Sequence, residues 1–187
     1  IDPLQLRTYS EYMEMATGVE SPVYSVTIPA FLDGEVETAN KDAVPDSELL
    51  GKLNVRYVVS AFEINAPGLE LVERLDDVWI YQNDLIYPRA WVESGEEMIE
   101  ARMMENFSNS QRIDADGPGM LVMSEVAYPG WNVTVDGERR EVETVDGLFR
   151  GVKLDEGRHE IEFMFRPSSV VWGCAAGLLT WLMVGGY

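Results

Sequence analysis

One histidine, one cysteine and thirty-three carboxylates set the chemistry this chain can carry. Nucleophilic catalysis of the triad type needs an imidazole base, and His159 is the sole candidate. Its spacing puts it on the same strand face as Ile161, Phe163 and Phe165, beside a turn, which reads as a packed, hydrogen-bonded structural histidine. No Gly-x-Ser-x-Gly elbow accompanies it. A zinc site fails on ligand supply, because Cys174 lies in an apolar run far from any second ligand. A single cysteine also rules out an intrachain disulfide, and its surroundings suit a small buried residue better than a reactive thiol. Asp116-Gly117-Pro118-Gly119 lacks the lysine and the spacing of a phosphate loop. Glycosidic chemistry needs two carboxyl groups at a set separation, and no pair stands out among so many. No catalytic residue, metal ligand or cofactor is therefore assigned.

Aromatic side chains offer a different kind of site. The corner Tyr128-Pro129-Gly130-Trp131 has the composition of a sugar platform, with Trp91 as a further candidate contact. Against that stands a structural use of the same residues. Pro-Gly makes a turn, and Trp131 opens the alternating set Trp131, Val133, Val135, which favours a plug at a sheet edge or core. Trp79, Tyr81 and Trp91 read as core more readily than as ligand contacts.

The elements that must position these residues follow from pattern. Residues 1 to 18 read as a helix, with Asp2-Pro3 at its start and Gly18 at its end. Residues 19 to 40 contain Pro22, Pro29 and Gly34 and read as extended or looped chain. A short helix over 45 to 52 leads into a buried strand over 53 to 59. Residues 69 to 74 and 78 to 82 form a hairpin closed at Asp76-Asp77. A strand over 88 to 93 precedes a helix over 95 to 106, and residues 114 to 119 read as a loop. Beyond it comes a strand over 120–126, and then four alternating strands over 131–135, 141–145, 148–154 and 159–165, separated by turns at Asp136-Gly137, Asp146-Gly147 and Asp155-Glu156-Gly157, the pattern of an antiparallel meander in a sandwich.

Composition bounds the partners. At 187 residues and 46% hydrophobic, the chain can bury a real core. A formal charge of −19 repels nucleic-acid phosphates and anionic headgroups, so nucleic acid is excluded as a partner of the soluble part. The acids are spread along the chain, as on a solvated surface, and no calcium-loop spacing occurs. Residues 167 to 187 contain no charge. About 20 apolar residues at 1.5 Å rise span a hydrocarbon core. Gly173, Ala176 and Gly177 suit close helix contact, and Trp172 suits an interface. The tail thus reads as the start of a transmembrane helix, and the chain, which opens without Met or a signal stretch, as a piece of something longer.

Several short tags occur in a telling order. Leu53-Asn54-Val55-Arg56-Tyr57-Val58-Val59, Trp79-Ile80-Tyr81-Gln82-Asn83 and Tyr87-Pro88-Arg89-Ala90-Trp91-Val92 come first. Leu121-Val122-Met123-Ser124-Glu125, Tyr128-Pro129-Gly130-Trp131, Val135-Asp136-Gly137, Val145-Asp146-Gly147-Leu148-Phe149-Arg150-Gly151-Val152, Gly157-Arg158-His159 and Phe163-Met164-Phe165-Arg166-Pro167 follow. The series resembles the YfhO-like family of bacterial membrane proteins over about residues 45 to 180. The resemblance implies a polytopic parent, similar to membrane glycosyltransferases that use polyprenyl-phosphate-linked sugars on cell-envelope polymers. Their catalytic carboxylate belongs to a region without counterpart here, so no catalytic residue carries over.

The expectation is an α+β chain: a mixed α/β N-terminal lobe over 1–112, an antiparallel β-sandwich or meander over 113–167, and a transmembrane-like apolar helix starting at 168–187. Its expected role is a non-catalytic extracytoplasmic accessory domain at the cell membrane. The membrane is a partner through the tail and further spans, and a cell-envelope glycan or lipid-linked sugar is a second. A carbohydrate-binding module and a purely structural or interaction domain remain the alternatives.

Overall fold

Period-two alternation dominates the chain after residue 57, and antiparallel strands follow from it. A computed structural model describes residues 7–20, 29–30, 38–167, 169 and 173. The chain divides into two units, one of Ile1–Arg89 with Ser124–Val126 and Asp146–Phe149, the other of Ala90–Met123, Ala127–Val145 and Arg150–Tyr187.

The first unit holds α1 and α2. In α1 (Arg7–Thr17), Tyr12, Met13 and Ala16 form one buried stripe at helical spacing. Gly18, at φ +69°, closes the helix by donating its N–H to the Glu14 carbonyl at 2.9 Å. α2 (Ser47–Lys52) is capped by Asp46, whose Oδ1 accepts from Glu48 N at 2.9 Å and Leu49 N at 3.0 Å. Tyr12 joins the two helices, its hydroxyl donating to the Leu49 carbonyl at 3.0 Å and its ring set edge-on to Phe149. Burial, and then the nearby Asp146 carboxylate, push the Tyr12 phenol well above its ordinary pKa, so it stays a neutral donor.

β1 (Tyr57–Ser60), β2 (Leu69–Leu75) and β3 (Val78–Asn83) make an antiparallel sheet in the order β1-β3-β2. The β2–β3 hairpin closes at Asp76-Asp77 as expected, with Asp76 at φ +52°. The expected buried strand over 53–59 is shorter and more exposed. Asn54 takes φ +60° and donates its backbone N–H to Gly51 O, which completes the helix end and delays the strand to Tyr57. β1 is then an edge strand, with Tyr57 and Val59 exposed.

The second unit is built on an eight-stranded sheet ordered β5-β4-β7-β11-β8-β9, with β6 added to β7 and β10 to β11. Its strands are β4 (Ala90–Ser94), β5 (Glu97–Glu100), β6 (Arg102–Phe107), β7 (Ser110–Val126), β8 (Trp131–Val135), β9 (Glu138–Arg140), β10 (Glu143–Val145) and β11 (Phe149–Phe165). The helix expected over 95–106 is two strands. Gly95, at φ +66°, turns the chain so that Val92 meets Ile99, and Met103 then pairs with Ile113. Met98 and Ile99 are exposed rather than stacked on a helical face.

The loop expected over 114–119 lies inside β7, and the turn expected at 155–157 lies inside β11. Their glycines serve close approach. A Cβ on Gly117 would stand 2.0 Å from the Asp155 carbonyl, and one on Gly151 would stand 2.6 Å from that of Leu121. The residues that β11 gives to the core are Val152 and Leu154 before the acidic stretch, but Ile161 and Phe163 after it. Even and odd positions cannot share a face in a regular strand, so one extra residue is absorbed between them, with Gly157 at φ +117°. The Asp-Glu-Gly segment is therefore a bulge. β11 also lies between β7 and β8, so the sheet is not the sequential meander expected.

Thirteen buried residues form one core here, led by Ile113, Leu121, Met123, Ile161 and Phe163. Each full-sized aliphatic or aromatic side chain buried there contributes roughly 1.5–3 kcal/mol. The β8–β9 hairpin turns at Asp136-Gly137, both at positive φ, and Asp146-Gly147 repeats that geometry between β10 and β11. The apolar tail expected over 168–187 lies outside the described residues except for positions 169 and 173. Among the described residues no helix is long and apolar enough to cross a membrane.

Candidate functional site

Between β7 and β8 the chain makes the corner Tyr128-Pro129-Gly130-Trp131. Gly130 takes φ +112°, and a Cβ there would stand 2.9 Å from the Phe165 ring and 3.1 Å from Pro167. Its carbonyl accepts from Arg166 N at 2.7 Å and from Asn132 Nδ2 at 3.2 Å. The corner is thus pinned to the end of β11, where Trp131 pairs with Phe165.

Trp131 is half-buried, with its ring 5.3 Å from that of Phe165. The Arg150 guanidinium lies 3.6 Å from the Trp131 ring centroid and 5.2 Å from that of Phe163. Arg150 is only 1% exposed and donates to Gln111 Oε1, while Gln111 Nε2 donates to Asn106 Oδ1 at 3.0 Å. Tyr128 sits beside this stack, 6.3 Å from Phe165, and is 49% exposed.

Two grooves flank the corner. One, of about 650 Å³, is lined by Trp131, Asn132, Arg139, Arg140, Glu141 and Val142. The other, of about 480 Å³, lies over the outer face of β8 and β11 and includes Asn132, Thr134, Arg139, Glu162 and Arg166. An aromatic edge, a threonine hydroxyl, amide and guanidinium donors and carboxylate acceptors line these grooves and can hold a polyhydroxylated ligand.

Of the three aromatic candidates, the structure brings Tyr128 and Trp131 together and leaves Trp91 out. Trp91 is fully buried on β4, and its indole N–H donates to Glu93 Oε1 at 3.0 Å. Sequence reasoning missed Arg139. Its signal was present, because a two-residue Asp136-Gly137 turn fixes the register that sets Arg139 opposite Thr134.

His159 is hydrogen-bonded through both ring nitrogens. Nδ1 lies 2.7 Å from Asp136 Oδ2, and Nε2 lies 3.1 Å from the Asp155 carbonyl. The Asp136 carboxylate raises the imidazole pKa, and the same bond, with one from Glu160 N, lowers that of Asp136. The pair ties the β8–β9 turn to the bulge in β11, the role of a structural latch. Among the described residues no group of three or more His, Cys, Asp or Glu side chains is arranged to hold a metal ion. Cys174 lies outside the described residues.

The sequence profile of the family described as "Bacterial membrane protein YfhO" matches residues 74–176, more than half of the chain. That span begins in β2, includes both grooves and the corner, and runs past the end of β11. No curated protein and no solved structure matches the chain. The chain belongs to the YfhO family of bacterial membrane proteins.

Proposed function

We propose that this chain is a non-catalytic extracytoplasmic accessory domain of a polytopic bacterial membrane protein. In that reading the parent is a polyprenyl-phosphate-sugar-dependent glycosyltransferase acting on cell-envelope polymers, and this domain holds the saccharide near the membrane. The family match supports a membrane-protein setting. The charge-free run from residue 167 supports a membrane helix starting at 168–187, beyond an N-terminal lobe over 1–112 and the β-rich part over 113–167. The observation that carries the saccharide role is the half-exposed Tyr128 ring, packed like Trp131 on Phe165, with one groove lined by Trp131 and a second by the adjoining Asn132.

A purely structural domain is the second reading. The packing of Trp131 on Arg150 and Phe165 favours it, since a plug needs only those contacts. Glycan-array binding by the intact chain separates the two. Tyr128→Ala is the informative variant, because that side chain is half in solvent and its removal leaves the core untouched. Saturable binding weakened by Tyr128→Ala, with an unchanged circular-dichroism spectrum, supports the saccharide role. Absence of binding across the array favours the structural domain.

A further inference from the structure

The groove over β8 and β11 is lined by two arginines. Arg7, Arg112, Arg140 and Arg158 each meet a carboxylate, whereas Arg56, Arg74, Arg89 and Arg102 have no ion pair among the described residues. Arg139 and Arg166 line one groove, and among the described residues no carboxylate stands within ion-pair reach of either. Both side chains are exposed.

Arg139 is nevertheless held in place. Its Nη2 donates to Asn132 Oδ1 at 2.7 Å, and Asn132 Nδ2 in turn donates to the Gly130 carbonyl. An amide oxygen takes one guanidinium N–H, so Arg139 has further N–H donors to offer. Arg166 is fixed through its backbone N–H on that same Gly130 carbonyl. Between them the register sets Thr134 beside both Arg139 and Glu162, and Asn132 beside Met164. The groove thus carries two guanidiniums at its flanks, with hydroxyl, amide and carboxylate groups between.

We propose that this groove is an oxyanion subsite for an acidic saccharide, one bearing a carboxylate or a phosphate. Arg139 and Arg166 take the anion by charge-assisted hydrogen bonds, and Asn132, Thr134 and Glu162 take neighbouring hydroxyls. The subsite deepens the saccharide reading of the Tyr128–Trp131 corner and rests on it. The surrounding charge of −19 repels anions elsewhere, so the two guanidiniums also orient what they bind.

The test uses the intact chain with three probes: a uronate oligosaccharide, its neutral counterpart and inorganic phosphate, with a sugar phosphate as a further arm to separate the two anion sources. At low salt the uronate or the sugar phosphate binds about tenfold more tightly than the neutral sugar, an advantage that shrinks at high ionic strength. Arg139→Gln and Arg166→Gln each weaken the acidic ligand about tenfold and leave the neutral one unchanged, while Glu162→Gln strengthens it. Equal binding of acidic and neutral sugars, insensitive to both arginine variants, overturns the subsite and leaves the corner reading standing. Binding of inorganic phosphate without any saccharide overturns both, as does the absence of all binding.

Discussion

The two sheets of this protein share antiparallel geometry and little else. In the eight-stranded sheet, one face of β7, β8 and β11 meets a contiguous core in which Leu121, Val133, Ile161 and Phe163 have no solvent contact. In the three-stranded sheet, β2 is exposed at six of its seven positions, among them Leu71, Val72 and Leu75. The first sheet is held by broad burial, and the second by its ladder, its Asp76-Asp77 turn and the buried β3 residues Tyr81 and Asn83. A precise site needs a rigid support, and the Tyr128–Trp131 corner is attached to the buried sheet.

Substitutions sharpen that contrast in descending order. Phe163→Ala, in the centre of the core, costs about 3–5 kcal/mol of unfolding free energy in a urea titration. A loss below about 1 kcal/mol would break the comparison. Gly117→Ala costs about 1–3 kcal/mol in the same assay, because its new methyl forces the β7 and β11 backbones apart. If position 117 were a loop, as its composition suggests, that substitution would be nearly silent. Leu71→Ala, on exposed β2, stays within about 0.5 kcal/mol of the unsubstituted chain.

The smallest effect is electrostatic and depends on pH. His159 has its pKa raised by Asp136, so its contribution is complete below its unfolded value and is lost as pH rises through the folded one. Asp136 has its pKa lowered, so its contribution is present above its unfolded value and is lost as pH falls through the folded one. The latch is therefore strongest in mildly acidic solution, between those two transitions. Melting temperature plotted against pH for His159→Gln, beside the unsubstituted chain, should lose the component on the alkaline side. Identical profiles would remove the latch from the account.

Much of this architecture was legible where local chemistry decides the outcome. Asp136-Gly137 and Asp146-Gly147 adopt the positive φ that hairpin turns require, and Asp46 caps its helix. Val133 and Val135 alternate inward as read. The misreadings occurred where a distant partner decides. Gly117 looks like loop punctuation until Asp155 of the neighbouring strand is seen to exclude a side chain. Residues 95 to 106 carry apolar residues compatible with a helix, but Gly95 folds β5 back onto β4, and β6 then pairs with β7. The extra residue in β11 is invisible without the core that fixes both of its faces. For the site, residue type identified Tyr128 and Trp131 but could not show that Trp91 is sealed. Arg139 and Arg166 were overlooked because a lone surface arginine looks alike with or without a carboxylate partner.

On the proposed function, the corner on the buried sheet is the ligand-contacting surface. Hydrogen–deuterium exchange of the intact chain, with and without an acidic oligosaccharide, addresses it directly. Slowed exchange is expected only at residues 128–142 and 160–166, with the amides of β2 and β3 unchanged. Protection on β1, β2 or β3 instead, or none at saturating ligand, would contradict it.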